Sequence, residues 1–148
     1  MKTYLKTLFV SLALVSCTQA LATQTTFIFD RLTDDSKEQC QNMSLDQLAK
    51  TINITIDLSP IKTPFIGLPS IASYSGISLA ATPDFFFMGL KDRYAYMSRA
   101  TDAVIENKSF HGVNFSLVSK DEFTGYQGAL RLNDAEGNHC MVLLKQSA

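Results

Sequence analysis

Strict alternation of apolar and polar residues over residues 51–59 limits this chain to folds that are built on a β-sheet. In the sequence TINITIDLS, every second residue from Ile52 to Leu58 is apolar and the residues between them are polar. Successive side chains of a strand lie on opposite faces, so this pattern predicts a half-buried strand. No later segment has the pattern of a crossover helix, which parallel strands require. The sequence therefore predicts antiparallel pairing.

Further strand predictions follow along the chain, and turn residues separate them. A short helix is predicted over residues 45–50, because Ser44 and Gln47 form a capping-box pattern. Three prolines, Pro60, Pro64 and Pro69, follow the alternating strand, and residues 60–83 are predicted as the longest irregular connection, in which ISLAA can add a strand. The other predicted strands are 23–29, 85–90, 93–99, 103–106, 113–118, 126–132 and 139–144.

This order of elements predicts a mainly β (α+β) fold. Short strands at roughly regular spacing are typical of an antiparallel meander, which forms a barrel or a sandwich. One short N-terminal helix completes the predicted architecture.

The first 22 residues have the layout of a cleavable signal peptide. Two lysines in MKTYLK precede the uncharged stretch TLFVSLALVS, and Ala20-Leu21-Ala22 supplies small residues at the expected cleavage site. The apolar stretch falls short of the roughly 20 residues that span a bilayer, and no later segment is long enough to do so. The sequence predicts a signal peptide over 1–22 and one exported domain over 23–148, in the periplasm or outside the cell.

A second cleavage site competes with the first. Leu14-Val15-Ser16-Cys17 resembles the bacterial lipobox, in which the cysteine becomes the lipidated first residue of an anchored lipoprotein. An acyl chain on Cys17 would attach the protein to a membrane surface. Both alternatives, a released domain and a lipoprotein, stay open at this point.

Size and charge narrow the classes of partner. The chain has 148 residues, and removing 22 leaves 126, which suits one domain. Lys2 and Lys6 belong to the leader, so the 13 basic and 14 acidic residues become 11 against 14, a net charge of -3. Nucleic-acid binding needs clustered lysines and arginines, so no nucleic-acid partner is expected.

Two cysteines remain after either cleavage, Cys40 and Cys140. A pair in an oxidising compartment predicts a disulfide. The loop that it closes, about 100 residues, corresponds to about 4 to 5 kcal/mol in the chain-entropy model. Metal binding is not expected, because the adjacent His139 and Cys140 point to opposite faces of a strand and the spacing matches no zinc pattern.

No motif predicts catalysis, and no cofactor is expected. The hydrolase elbow G-x-S-x-G is absent. His111 and His139 are the two histidines that a nucleophilic mechanism could use, and Asp34-Asp35 and Asp121-Glu122 are paired carboxylates in contexts typical of turns.

An aromatic hairpin is the candidate binding surface. Residues 85–90 and 93–99 flank Lys91-Asp92. Because side chains alternate along a strand, Phe86 is expected to point to the opposite face from Phe85 and Phe87. One face is then expected in the core, and the other exposes an apolar patch typical of ligand or partner sites. The candidate residues are Phe85, Phe86, Phe87, Tyr94 and Tyr96.

The order of elements resembles the small exported VirK proteins of bacteria that interact with eukaryotic hosts. The resemblance runs from LDQLAKTINITIDLS through FFFMGLKDRYAYMS to Cys140 and the apolar residues after it. In that family a cysteine follows the alternating strand, whereas here the strand is followed by SPIKT. The resemblance implies export and association with virulence, with no known reaction.

These observations favour a non-enzymatic exported module that binds a protein, glycan or lipid through residues 60–83 or the aromatic hairpin. A small secreted hydrolase or enzyme inhibitor is one alternative. An envelope lipoprotein anchored through Cys17 is the other.

Overall fold

The alternating segment forms a strand in the structure. The computed structural model describes residues 24–62, 66–90, 93–119 and 126–148. Ile54 and Ile56 are buried, while their neighbours in the strand are half-buried. The period-two pattern therefore defines a core face, as the sequence predicts.

The fold consists of antiparallel strands and a short helical region. The strands are β1 (Gln24–Leu32), β2 (Asn53–Asp57), β3 (Ser70–Ser75), β4 (Ser78–Leu79), β5 (Phe85–Leu90), β6 (Arg93–Ser98), β7 (Thr101–Ile105), β8 (Lys108–Ser119), β9 (Gln127–Asn133) and β10 (His139–Gln146). The helices are α1 (Lys37–Asn42) and α2 (Leu45–Leu48), with a 3-10 turn at Ala49–Thr51.

The strands form one nearly closed, barrel-like antiparallel sheet in the order β3-β2-β1-β10-β9-β8-β6-β5. β6 and β7 follow the same edge of β8, so they act as one long strand with a break between them. β4 and β5 follow the outer edges of β7 and β6 in the same way. The predicted mainly β fold is confirmed.

The barrel does not close by hydrogen bonds between its two end strands, β3 and β5, within the part of the chain described here. Only Gly76 and Ile77 separate β3 from β4, so the two ends of the sheet lie within about 11 Å of each other at this link. We call the gap between the edge of β3 and the edge formed by β4 and β5 the seam.

Aromatic rings in the core pack against the backbone of a glycine, Gly128. Phe27 and Phe115 pack edge to face, with ring centroids 6.0 Å apart. A Cβ at Gly128 would lie 3.1 Å from both the Phe27 ring and the Leu144 Cβ. The missing side chain thus provides the space that the rings occupy.

Residues of α1 cover the first half of β10, where β1 no longer pairs with it. The Met141 N–H donates to Ser36 Oγ at 3.1 Å, and the His139 N–H donates to Gln39 Oε1 at 3.3 Å. A disulfide joins Cys40 of α1 to Cys140 of β10, as predicted. We call this arrangement the stapled edge.

Two parts of the chain differ from the sequence prediction. The connection 60–83 contains two strands, β3 and β4, although only the second was anticipated through ISLAA. The predicted helix over 45–50 is shared between α2 and the 3-10 turn. Its expected cap is not formed, because Ser44 has a φ of 56° and makes no side-chain cap hydrogen bond.

Candidate functional site

The aromatic hairpin divides its residues between two faces. Phe85 and Tyr96 are buried in the core, and Phe87 packs against Tyr96 with ring centroids 5.5 Å apart. Tyr94 is half-buried on the same face. Phe86 points outward and is 40% exposed. The predicted alternation is observed, and the candidate surface residues do not form one continuous surface.

Two tyrosine hydroxyls in this cluster are buried and have no hydrogen-bond partner among the described residues. Tyr96 is 0% exposed and Tyr126 is 4% exposed, and their ring centroids lie 6.3 Å apart. Burial raises the pKa of both phenols; together with the nearby Tyr96, it raises the pKa of Tyr126 to about 12. Both groups therefore remain protonated at neutral pH.

The region from 66 to 79 exposes apolar side chains beside an open strand edge. Ile66 is 60% exposed, Leu68 is 45% exposed and Tyr74 is 40% exposed. Every residue from 63 to 83 is uncharged. This feature is visible in the sequence, but a search for alternating residues does not detect it. We call the exposed residues Ile66, Leu68 and Tyr74, together with β3, the open-edge surface.

The end of β3 is fixed by Gly76. This residue has a φ of +73°, and a Cβ there would overlap the backbone oxygen of Thr51. The next residue, Ile77, is buried in the core. The chain is therefore anchored at one end of the seam, while most of β3 is exposed.

His111 forms an ion-pair contact in an exterior cleft of about 210 Å³. Its Nδ1 lies 3.3 Å from Asp102 Oδ1, and both side chains are more than half exposed. Ser78 and Ser109 line the same cleft. Sequence reasoning named His111 but missed Asp102, because only the pairing of β7 with β8 brings them together.

The other candidate chemical residues are not assembled into a site. His139 is the first residue of β10, and its backbone N–H donates to Gln39 Oε1 at the stapled edge. A hydrogen bond from the Thr33 side chain lowers the pKa of Asp35, which is consistent with a turn carboxylate. Asp121-Glu122 lie outside the described residues.

A second exterior cleft of about 250 Å³ lies where β1, β10 and β9 meet. Its charged groups are one carboxylate and two cations, and Asp30 contacts Arg31 at 2.8 Å and Lys145 at 3.9 Å. The two cations share this carboxylate, so the lining carries a formal charge of +1.

Among the residues that the structure describes, no cluster of three or more His, Cys, Asp or Glu side chains is arranged to hold a metal ion. None of the helices in the same residues has the length and apolar character needed to cross a bilayer. The predicted leader, including Cys17, lies outside this part of the chain.

Comparisons with protein-family models, curated proteins and solved structures find no match for this chain. The resemblance to VirK proteins therefore stays a prediction that rests on the order of elements.

Proposed function

We propose that this chain is an exported, non-enzymatic module that binds a partner protein through the open-edge surface. The observation that carries the proposal is the exposure of Ile66, Leu68 and Tyr74 beside an edge strand in a stretch without charge. An exposed apolar surface next to an open strand edge is a candidate interaction site. Export is supported by the Cys40–Cys140 disulfide, which suits an oxidising compartment.

The structure offers matched controls for this proposal. Tyr74 and Phe86 are both 40% exposed, and Leu68 and Val104 are 45% and 42% exposed. Each pair compares the open-edge surface with an exposed apolar position elsewhere on the sheet. Because exposure is similar within a pair, a general loss of exposed hydrophobic surface affects both members alike.

A displayed library of random dodecapeptides tests the proposal directly. We expect the mature protein to enrich uncharged, apolar peptides, and Tyr74→Ser and Leu68→Ser to reduce their binding at least tenfold. Phe86→Ser and Val104→Ser should bind them normally. Loss only with Phe86→Ser would assign binding to the aromatic hairpin and overturn the proposal. Absence of any enrichment would also overturn it, and binding to lipid vesicles or glycan arrays instead would change the partner class.

A second candidate function, ester or amide hydrolysis, has one specific observation in its favour. The Asp102–His111 contact leaves His111 Nε2 available, and two serines line the cleft. This arrangement contains the residue types of a nucleophile, a base and an orienting acid. Hydrolysis of p-nitrophenyl acetate that His111→Ala abolishes and His139→Ala preserves would support this function. Equal rates for both variants and the wild type would exclude it.

The lipoprotein alternative depends on residues that the structure does not describe. Intact-mass measurement of the natural protein separates it from release: a chain that begins at Thr23 is released, and a chain that begins at a lipidated Cys17 is anchored. The proposed association with host interaction rests on the VirK resemblance alone.

A further inference from the structure

The backbone of β3 is available on one side. β3 pairs with β2 over Ser70–Ser75, and the described residues provide no strand on its other side. Within the described part of the chain, no further backbone hydrogen bond involves Ser70–Ser75. Unpaired N–H and C=O groups along a strand are a template for another strand.

This edge lacks the usual protection against strand addition. Natural edge strands commonly carry lysines, other charges or prolines, or are covered by a helix or loop. β3 contains no charged residue and no proline, and Pro69 precedes it. Its one irregularity is a bulge near Ala72, where pairing shifts from Thr55↔Ser73 to Ile56↔Ile71. The edge is therefore chemically suited to accept a strand.

We propose, on the basis of the proposed function, that the module binds an extended, uncharged segment of another polypeptide as an additional strand along β3. The geometry of the seam favours one extended segment as the occupant over a second folded copy. The open edges of β3 and of β5 face the same gap in a nearly closed barrel. One extended strand lies about 4.8 Å from each strand with which it pairs. A second folded copy would have to place its whole sheet, and not one strand, in the gap.

The side chains of β3 indicate which partner sequence fits. Ile71 and Tyr74 lie opposite Ile56 and Ile54, so they belong to the face of the sheet that points to the core. An added strand continues this face, and its inward residues contact Ile71 and Tyr74. Its outward residues lie in water. The partner segment therefore alternates apolar residues with small polar residues and carries no charge at inward positions.

A fluorescein-labelled heptapeptide, Ser-Val-Ser-Ile-Ser-Val-Ser, is a suitable probe for this mode of binding. Fluorescence anisotropy with the mature, oxidised protein gives its affinity. N-methylation of the apolar residues and N-methylation of the serines remove amide donors from opposite edges of the peptide. We expect one set, or both if the peptide also pairs with β5, to weaken binding at least tenfold. Equal affinity of both methylated peptides and the parent would overturn strand addition.

Protein variants locate the site. Ser73→Lys adds a charge to the open edge and should weaken the parent peptide at least tenfold, whereas Val104→Lys, on a strand that is paired on both sides, should leave it unchanged. Equal effects of the two variants would overturn the proposal.

Other outcomes separate this inference from the proposed function. Failure of the parent peptide to bind at millimolar concentration would overturn strand addition, while library enrichment that depends on Tyr74 would still support the binding module. A concentration-dependent dimer in sedimentation velocity that Ser73→Lys abolishes would identify a second copy as the occupant and overturn the inference of a single segment.

Discussion

The stapled edge and β3 face the same physical problem and differ in its solution. β10 runs beyond its partner β1, and β3 is the end strand of the sheet, so in both places backbone groups on one side of a strand have no strand neighbour among the described residues. On β10, side chains from Ser36 and Gln39 bind the free amides, and the Cys40–Cys140 disulfide holds them there. On β3 no such cover is present among the described residues. The same fold covers the free edge of β10 with side chains. The open edge of β3 is therefore a property of the β3 segment and not of the fold as a whole.

The largest expected effect comes from breaking the staple. A Cys40→Ala/Cys140→Ala variant should lose about 4 kcal/mol of unfolding free energy, because a loop of 100 residues is no longer constrained in the unfolded chain. Denaturant unfolding of the variant and of the reduced wild type measures this loss. Amide exchange at His139 and Met141 should also become faster, which would make β10 resemble β3. An unchanged midpoint would show that the disulfide is dispensable.

The next effect isolates the side-chain cover. Ser36 is buried and accepts the Met141 N–H at 3.1 Å, and its Oγ also lies 2.6 Å from Thr33 Oγ1. Ser36→Ala removes the side-chain acceptor of the part-buried Met141 N–H and should cost about 2 kcal/mol. Ser73→Ala on β3 is the control and should change stability by less than about 0.5 kcal/mol. Similar losses for both serines would contradict the distinction between the two edges.

A smaller effect concerns buried polar groups that have no partner. The Tyr126 hydroxyl is buried and, unlike Ser36, makes no hydrogen bond within the part of the chain that the structure describes. Tyr126→Phe should therefore raise stability at pH 7 by about 1 kcal/mol, because it removes an unsatisfied group. A loss of stability in this variant would show that the hydroxyl has a partner in solution.

The same tyrosine gives a pH dependence with a defined sign. Burial, with a contribution from Tyr96, raises the pKa of Tyr126 from 10.0 to about 12 in the folded protein. The unfolded chain loses the Tyr126 proton at lower pH than the folded protein does, so the contribution of this group to the unfolding free energy is unchanged below pH 10 and falls as pH rises from 10 to 12. Unfolding measured across this interval should show a steeper loss for the wild type than for Tyr126→Phe. Parallel profiles would contradict the assignment.

The smallest expected effect is local and tests the open edge directly. Amides of β3 whose N–H points away from β2 should exchange with solvent within the fastest class of strand amides, because they lack a partner. Amides of β9, which pairs on both sides, provide the reference. Protection of all β3 amides in the free protein would mean that the edge is already covered.

Alternation in the sequence was sufficient to predict the well-paired part of the fold. It identified β2 and the opposite directions of Phe85 and Phe86, because strand geometry requires a period of two. The disulfide followed from counting cysteines. The mainly β architecture needed only the absence of crossover helices.

The seam could not be predicted in this way. β3 has the sequence SIASYS, in which a bulge at Ala72 places Ile71 and Tyr74 on one face although they are three residues apart. Period-two reasoning fails at such a bulge. The contact between Asp102 and His111 also depends on strand register, which a single sequence does not specify.

The position of the disulfide has a consequence for survival among proteases. It links the helix that follows the first strand to the last strand, with a sequence separation of 100 residues between the two cysteines. A single cut in any loop between them produces two fragments that remain covalently joined. Such a nicked molecule migrates as one species on a non-reducing gel, and its halves can stay paired in the sheet after cleavage.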